Sequence, residues 1–252
     1  MTSTNSAIHV PQMFKRGALK PDDERYLDSG AHLLRRIPEW LGLDNLAESE
    51  ILDVGCGTKF TEAIFRDDIA IRRYVGVDVY RPMIEHLTAE VKDPRFAYFH
   101  MDTHNEMYNP NGEPLNAATP LPCPDQYFDI ICLFSVFTHL APHDFTAMMR
   151  VLRPYAKPDA RLVFSLYLDE LTPGGFGLID TTYASQGVTE WTPSTTTFRD
   201  AYPGKPLQWA LYAREYAIEL AENTGWEIES INDPEQHVQH FFVCRPGSLP
   251  KT

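Results

Sequence analysis

The chain has 252 residues, enough for one large domain or two small ones. Acidic residues outnumber basic ones, 35 against 22, and the resulting net charge of −13 argues against a nucleic-acid partner, because phosphate binding depends on Lys and Arg. Hydrophobic residues make up 43% of the sequence and aromatic residues 12%, which supplies a core and excludes a disordered chain.

The four cysteines form neither a CxxC pair nor a zinc spacing, a usage typical of a reducing compartment. The first ten residues combine neither a basic start nor an apolar run, so they do not predict a signal peptide. No apolar stretch approaches the roughly 20 residues needed to span a bilayer. We therefore expect a cytoplasmic protein with no membrane partner.

Residues 1–21 are polar and irregular, and are interpreted as a flexible arm or lid. An N-terminal helical region follows over residues 22–48, in which the pattern predicts a helix from Asp22 to Trp40. Its first turn contains acidic residues, which interact favourably with the positive N-terminal end of the helix dipole.

Five short apolar runs alternate with helical patterns across residues 49–168. They are Ile51–Val54, Arg73–Val77, Phe96–Met101, Asp129–Phe134 and Arg161–Leu166. Between the runs, apolar residues recur every three or four positions, as on one face of a helix. Near-continuous apolar strands separated by amphipathic helices indicate a parallel sheet with helices on both faces.

The last third of the chain changes character. Residues 169–205 show no clear period and are interpreted as a long excursion over the sheet. Residues 206–252 predict a helix from about Leu207 to Thr224 and two strands, Trp226–Ile231 and Val238–Cys244. The short connection between these strands favours an antiparallel hairpin. No composition break divides the chain, so the sequence predicts a single domain with seven strands.

The strongest chemical signal is the segment Ile51–Gly57, in which a buried strand reaches Asp53 and then turns at Gly55 and Gly57. Two glycines allow the chain to turn tightly against a ligand, and this first turn of a parallel sheet lies at its ligand-binding edge. The Asp53 carboxylate would repel a pyrophosphate, and Phe60 replaces the third glycine of the dinucleotide fingerprint. The turn therefore favours a ligand with a cationic group.

Asp78 and Asp102 end the next two strands. Asp78 lies 78 − 57 = 21 residues beyond Gly57, close to the spacing of about 20 residues at which an acid reaches the ribose hydroxyls of a nucleoside. Three successive strands thus each deliver a carboxylate to the same edge of the sheet. Capping of the following helices would explain any one of these acids, but explains all three less well.

These ordered motifs resemble those of class I S-adenosylmethionine-dependent methyltransferases. The resemblance rests on Asp53–Gly57, Asp78, Asp102 and the run Leu121–Ile131, and it covers roughly Ser49 to Leu166. It implies the family's α/β Rossmann-like fold: a mostly parallel seven-stranded sheet with a C-terminal antiparallel hairpin and helices on both faces. It also implies S-adenosylmethionine as the cofactor.

By position, the resemblance implies that two segments hold the methionine part of the donor. They are the turn residues Asp53, Gly55, Cys56 and Gly57 and the strand-end residues Leu133 and Phe134. Lys59 stands where many members of the family have another glycine, and its ammonium group is a candidate partner for the donor carboxylate.

The remaining donor contacts are implied for the nucleoside. Asp78 would bind the ribose hydroxyls, and Asp102 and Thr103 would face the adenine. Val79 and Met83 would form apolar walls beside it.

The acceptor is predicted from the segments outside the donor motifs. The chain after the fourth strand reads Phe134-Ser135-Val136-Phe137, without the Asn/Asp-Pro-Pro-Tyr/Phe segment of nucleic-acid amino methyltransferases. Residues 103–120 and 169–205 combine polar groups with aromatic rings, which suits a hydroxylated ligand such as a sugar. The predicted contacts are Tyr108, Asn109 and Trp191. Ordinary turns and loop packing would explain any one of them equally well.

A hydroxyl acceptor needs a base within hydrogen-bond reach, and histidine suits this role near neutral pH. His139 and His143 both follow the fourth strand. Pro142 predicts the first residue of the next helix, which places His143 in the opening turn. We favour His143 as the base, with His139 close behind.

The sequence leaves a metal requirement open. His100 and His104 are four residues apart, as are His139 and His143. Some sugar methyltransferases of this fold use magnesium, but magnesium prefers oxygen ligands, and histidines suit zinc or another transition metal better. Magnesium is therefore kept as an optional cofactor, with no ligands assigned.

The sequence thus predicts an S-adenosylmethionine-dependent O-methyltransferase acting on a small saccharide or oligosaccharide. Tyr108–Gly112 and Ser135–Leu140 are similar to a bacterial group in the family that methylates saccharides, including the mycobacterial 1-O-methyltransferases of methylmannose polysaccharide synthesis. A lipid, quinone or polyketide hydroxyl is an alternative acceptor, and a non-catalytic donor-binding module is an alternative of another class. A homodimer is left open.

Overall fold

The computed structural model describes residues 8, 10–16, 21–123, 128–170, 196–201, 204–234 and 239–248. Its contacts divide the chain into two compact units. The first comprises Met1–Pro114 and Leu121–Cys132, and the second comprises Leu115–Pro120 and Leu133–Thr252. Within the described ranges, no helix combines the length and the apolar character needed to cross a membrane.

The first unit is built on a parallel sheet. Its strands are β1 (Glu50–Val54), β2 (Arg73–Asp78), β3 (Phe96–His100) and β4 (Phe128–Leu133), whose last residue falls in the second unit. Its helices are α1 (Asp23–Leu41), α2 (Lys59–Asp67) and α3 (Arg81–Glu90), preceded by one turn of 3-10 helix at Gln12–Phe14. The strand order is β3-β2-β1-β4 with every pair parallel, as predicted.

Local chemistry explains the ends of α1. The side chain of Asp22 accepts a hydrogen bond from the Arg25 amide at the N-terminus, and Gly42 ends the helix in the left-handed conformation.

Ile51 and Leu52 of β1 are fully buried, as expected for a strand covered on both faces.

The described residues of the second unit form two helices and five strands. The helices are α4 (Pro142–Leu152) and α5 (Arg214–Glu222), with turns of 3-10 helix at Phe137–His139 and Arg153–Tyr155. The strands are β5 (Ala156–Leu168), β6 (Phe198–Asp200), β7 (Ala210–Tyr212), β8 (Trp226–Asn232) and β9 (His240–Pro246). β5 pairs in parallel with β7 and antiparallel with β9, and β6 and β8 pair antiparallel with β7 and β9 respectively. The predicted C-terminal hairpin is therefore confirmed.

Two sequence predictions about this unit were wrong. The helix predicted from Leu207 begins only at Arg214, because Ala210–Tyr212 forms strand β7. These three residues are completely buried, and the Tyr212 hydroxyl donates a hydrogen bond to the Leu140 carbonyl at 2.6 Å. Tertiary burial thus overrides the helical spacing of the apolar residues. With β6 and β7 added, the part of the chain that the structure describes contains nine strands rather than the predicted seven.

Candidate active site

The turn after β1 has the glycine-dependent geometry that its sequence predicts. Gly55 has φ 73° and Gly57 has φ 51°, both in the left-handed region. The amides of Gly55 and Cys56 both donate to the Val77 carbonyl, at 2.7 and 3.2 Å, which ties the turn to the end of β2. A Cβ added at Gly57 would meet no heavy atom within 4 Å, so the turn faces open space.

Cys56 contributes its backbone to this turn while its thiol points into the protein. Its side chain is buried, and Sγ lies 2.9 Å from the position that a Cβ on Gly76 would take. Burial raises the pKa of the thiol well above its usual value. The thiol is therefore neutral and inward-facing, and a ligand at the turn would meet the backbone of Cys56 rather than its side chain.

Asp78 connects two turns through its carboxylate. The Gly57 amide donates to Oδ2 at 3.1 Å, and the Tyr80 amide donates to Oδ1 at 2.9 Å. Burial raises the pKa of Asp78, while these amide donors and the charge of Arg16 oppose the rise. The 21-residue spacing between Gly57 and Asp78 thus corresponds to a direct contact at the edge of the sheet.

Asp53 lies beneath the turn as a buried carboxyl group. Its side chain is 3% exposed, and the Tyr74 hydroxyl donates a hydrogen bond to Oδ2 at 2.6 Å. Burial raises its pKa to about 7; the Tyr74 hydrogen bond opposes this shift, and the nearby charge of Asp78 adds to it. A ligand with a cationic group would favour the ionised form, so this acid suits the donor's ammonium group.

We expect Asp53 to make donor binding depend on pH. A carboxyl whose pKa is raised from 3.8 to about 7 binds a proton more tightly in the folded state. Its contribution to the free energy of unfolding of the ligand-free protein therefore falls as pH rises from about 4 to 7, by at most on the order of 4 kcal/mol. Binding of a cationic ligand should in turn release a proton and tighten between pH 6 and pH 8.

Calorimetry with S-adenosylhomocysteine at pH 6 and 8, in two buffers of different ionisation enthalpy, measures both the affinity and the released proton. Asp53→Asn is the matched variant, and it should bind weakly with little pH dependence. Equal affinities of the wild-type protein at the two pH values, with no proton released, would contradict this assignment.

Lys59, the first residue of α2, packs against α1. A Cβ on Gly30 would lie 2.6 Å from the Cγ atom of Lys59, so the absence of a side chain at Gly30 lets the lysine stem lie against the helix. Its ammonium group lies 4.9 Å from the centre of the Tyr26 ring, and burial lowers its pKa. Among the described residues the ammonium makes this cation–π contact and no ion pair. Its predicted contact with the donor carboxylate stays a prediction.

The residues predicted around the adenine differ in exposure. Val79 is half-buried, Asp102 is exposed and Thr103 is buried. Met83 is 1% exposed and belongs to the core beneath α3. Asp102 accepts a hydrogen bond from the Asn109 side chain at 2.9 Å, so its carboxylate is held by the loop that follows β3.

The loop after β3 is held in place by hydrogen bonds between its own polar groups. The Asn109 amide group donates to Asp102 and also to the Thr103 carbonyl at 3.0 Å. The Tyr108 ring lies 4.7 Å from the guanidinium of Arg16. The predicted acceptor roles of Tyr108 and Asn109 are not tested by these contacts, and Trp191, the third predicted contact, lies outside the described residues.

The N-terminal segment 10–16 packs onto the first unit. Lys15 is 4% exposed and forms ion pairs with Asp23 and Glu62, at 2.9 and 3.3 Å. The Arg16 guanidinium lies 4.5 Å from the centre of the Tyr80 ring. This part of the predicted arm is therefore anchored by buried charge, a feature that the irregular sequence did not indicate.

In the second unit, the chain after β4 turns sharply. Leu133 is buried and Phe134 is half-buried. Ser135 has φ 58°, a left-handed conformation that is strained for a residue with a side chain, and its amide donates to the Ser165 hydroxyl at 2.8 Å. Such strain is often found at functional sites.

The two candidate bases have different surroundings. His139 is half-buried, and its Nδ1 lies 3.1 Å from the Leu207 carbonyl, to which it must donate a proton. Its Nε2 therefore carries the lone pair, and burial lowers its pKa, so the ring is neutral at pH 7. His143 lies in the first turn of α4, as predicted, but its side chain is 83% exposed, and its polar contact among the described residues is with Asp144 at 3.4 Å. The geometry favours His139.

A polar and aromatic group that the sequence did not indicate lies near the end of β5. The Trp209 ring stacks on the Tyr167 ring, with centroids 5.4 Å apart and planes inclined by 15°. The Gln239 amide donates to the Tyr167 hydroxyl at 3.2 Å and to the Ser135 hydroxyl at 3.0 Å. Trp209 is half-exposed, so this stacked pair presents a ring face. We call these four residues the aromatic platform.

The histidine pair that suggested a metal in the first unit makes backbone contacts through one nitrogen of each ring. His100 Nε2 lies 3.1 Å from the Val79 carbonyl, and His104 Nδ1 lies 3.0 Å from the Pro110 carbonyl. The other nitrogen of each ring keeps its lone pair. Among the described residues, these two histidines do not belong to a group of three potential metal ligands, so the structure adds no support to a metal at this pair.

Comparisons with known proteins identify the family and the fold. The family model described as a methyltransferase domain matches residues 23–241. Among solved structures, the PH0226 protein from Pyrococcus horikoshii is 13% identical, with 94% of this chain and 100% of that chain covered and a TM-score of 0.59. Magnesium protoporphyrin IX methyltransferase from Synechocystis PCC 6803, with bound S-adenosylhomocysteine, is 14% identical, with 92% and 89% covered and a TM-score of 0.55.

A third similar structure is the mitomycin 7-O-methyltransferase MmcR, which is 14% identical, with 88% of this chain and 54% of that chain covered and a TM-score of 0.57. Similarity at these identities concerns the fold. It confirms the predicted α/β Rossmann-like fold with a mainly parallel sheet.

Proposed function

This chain belongs to the methyltransferase-domain family and is an S-adenosylmethionine-dependent methyltransferase; on that premise we propose that it methylates a hydroxyl oxygen of a saccharide-like acceptor. The observation that carries the acceptor proposal is the aromatic platform. Trp209 offers a half-exposed ring face, and the Gln239 amide and Ser135 hydroxyl lie beside it. A saccharide needs both features, because its C–H faces stack on rings and its hydroxyls form hydrogen bonds.

The donor fits the first unit by its chemistry. The open face at Gly57, the buried Asp53 carboxyl and the Asp78 carboxylate offer space and negative charge to a ligand that carries an ammonium group and ribose hydroxyls. When bound, S-adenosylmethionine supplies an activated methyl group on its sulfonium. The protein therefore has to orient the acceptor and remove its proton.

In our proposal, His139 removes that proton. Donation from Nδ1 to the Leu207 carbonyl orients the ring and leaves the Nε2 lone pair as the proton acceptor. Burial keeps the imidazole neutral at pH 7 and thus able to accept a proton. His143 remains the alternative, although its exposed ring has no such orienting contact.

A planar hydroxylated ring, such as a phenol or quinol, is the second candidate acceptor. The part of the Trp209 ring that Tyr167 does not cover would accept a flat ligand as well as a sugar, and the similar enzyme MmcR is by name an O-methyltransferase. The Gln239 amide and Ser135 hydroxyl favour the saccharide, because sugar hydroxyls can replace the hydrogen bond that these two groups make with each other.

We expect Trp209→Ala to raise the acceptor KM by about fivefold, since stacking on an aromatic ring contributes roughly 1 kcal/mol. Donor affinity should not change, and Trp209→Phe should restore part of the loss. Radiolabelled methyl transfer to mono- and oligosaccharides, methylated mannosides and phenols, with and without magnesium, identifies the acceptor. Transfer to phenols alone would overturn the saccharide assignment.

A cytoplasmic location and the absence of a nucleic-acid partner are parts of the same proposal. All four cysteines are buried thiols outside any disulfide, which is compatible with a reducing compartment.

A further inference from the structure

Glu170, Asp233 and His240 meet at one edge of the second unit. Glu170 follows the end of β5, Asp233 follows the end of β8, and His240 begins β9. Because β9 runs antiparallel to both of its neighbours, its start lies beside the ends of β5 and β8. The hairpin topology therefore brings together three residues that are distant in sequence.

The ligand atoms of these residues have the spacing of a metal site. His240 Nε2 lies 3.1 Å from Glu170 Oε1 and 3.6 Å from Asp233 Oδ1, and all three atoms lie within 4.8 Å of one another. Tetrahedral zinc with bonds of about 2.0 Å places its ligand atoms roughly 3.3 Å apart. A small inward movement of Asp233, which is 69% exposed, would complete such a set.

His240 supplies an independent observation. Its side chain is 1% exposed, and neither ring nitrogen makes a well-oriented hydrogen bond to a described residue, although Nε2 lies 3.1 Å from Glu170 Oε1. Leaving a buried polar group unsatisfied is costly, so the described surroundings of this imidazole favour a bound ligand.

Arg214 supplies the positive charge of the cluster. Its guanidinium forms a two-pronged ion pair with Glu170 and lies 3.7 Å from Asp233 Oδ1. This pairing competes with a metal ion for the same carboxylates. Arg214 is 31% exposed and sits at the start of α5, so its side chain can move into solvent when another cation takes its place.

We propose that Glu170, Asp233 and His240 bind a divalent transition metal ion of the zinc class, with Arg214 as a displaceable counter-ion. One imidazole nitrogen with two carboxylate oxygens suits zinc, whereas magnesium prefers oxygen ligands alone. Three protein ligands leave a fourth position for water or another oxygen ligand. The site is independent of the identity of the acceptor.

Cobalt(II) is the probe, because its visible absorption reports tetrahedral coordination and zinc can displace it. Titrated into the metal-free full chain, it should bind one ion per chain and give an absorption band that zinc abolishes. Asp233→Asn should weaken binding by at least about tenfold. This exposed side chain can be changed without disturbing the core, and unfolding temperatures will verify that.

Two further variants make the test specific. Glu219→Gln removes an exposed carboxylate on the same helix as Arg214, outside the cluster, and should leave cobalt affinity unchanged. Arg214→Gln removes the competing cation and should tighten binding severalfold. The proposal is overturned if the wild-type chain binds no cobalt, or if Asp233→Asn binds it as well as the wild type. Weaker binding by Arg214→Gln would remove the counter-ion role.

Discussion

Replacing Asp78 by alanine is expected to weaken the binding of S-adenosylhomocysteine by about 100-fold or more. The Asp78 carboxylate accepts hydrogen bonds from the amides of Gly57 and Tyr80, so it orients the turn that faces the donor. Each hydrogen bond to a charged group contributes roughly 1.5–3 kcal/mol, and about 1.4 kcal/mol corresponds to a tenfold change in affinity. The variant loses both the proposed ribose contact and the anchor of the turn.

Calorimetry measures this loss directly, and two variants separate its causes. Asp78→Asn keeps one oxygen acceptor, so it should bind with intermediate affinity. Glu90→Gln removes an exposed carboxylate at the end of α3 and should bind like the wild-type protein. An Asp78→Ala variant that is folded and binds normally would disprove the assigned role.

Replacing His139 by alanine is expected to lower kcat by about 10²- to 10⁴-fold, the usual contribution of a general base. S-adenosylhomocysteine affinity should stay unchanged, because none of the donor residues in the first unit is altered. The physical reason is the ring orientation: the Leu207 carbonyl holds the proton on Nδ1, and only Nε2 can accept another. His143→Ala, which alters an 83% exposed side chain, serves as the matched control and should keep most of its activity.

The pH profile distinguishes a base from a structural residue. Burial lowers the pKa of His139 below its ordinary value of 6.5, so the ring stays neutral and active as pH falls through that value. Wild-type kcat should decline only at lower pH, where the ring becomes protonated, and this acid limb should disappear in His139→Ala. If His143→Ala instead abolishes turnover, the roles of the two histidines are reversed.

The donor side of the site could be read from local sequence. Asp53, Gly55 and Gly57 are adjacent in the chain, and two of them need a conformation that glycine adopts freely. Asp78 ends the next strand, and neighbouring parallel strands end at the same edge of the sheet. Gly57 and Asp78, 21 residues apart in the chain, are therefore joined by a 3.1 Å hydrogen bond from the Gly57 amide to Asp78 Oδ2.

The acceptor side and the metal cluster could not be read in this way. Trp209 stacks on Tyr167, and Gln239 reaches both Tyr167 and Ser135, across separations of 42 to 104 residues in the chain. Periodic patterns in the sequence do not indicate contacts between residues so far apart in the chain. The segment that begins β7 even carries a helical pattern, which burial in the second unit overrides.

The sequence by itself therefore determined the α/β class, the positions of most strands along the chain and the donor turn, because these depend on apolar periodicity, strand ends and glycine conformation. Tertiary structure alone decided which histidine has an oriented lone pair and which residues form the aromatic platform. It also decided where His240 meets two carboxylates. Those outcomes depend on strand pairing between distant segments, which sets distances and burial that neighbouring residues cannot encode.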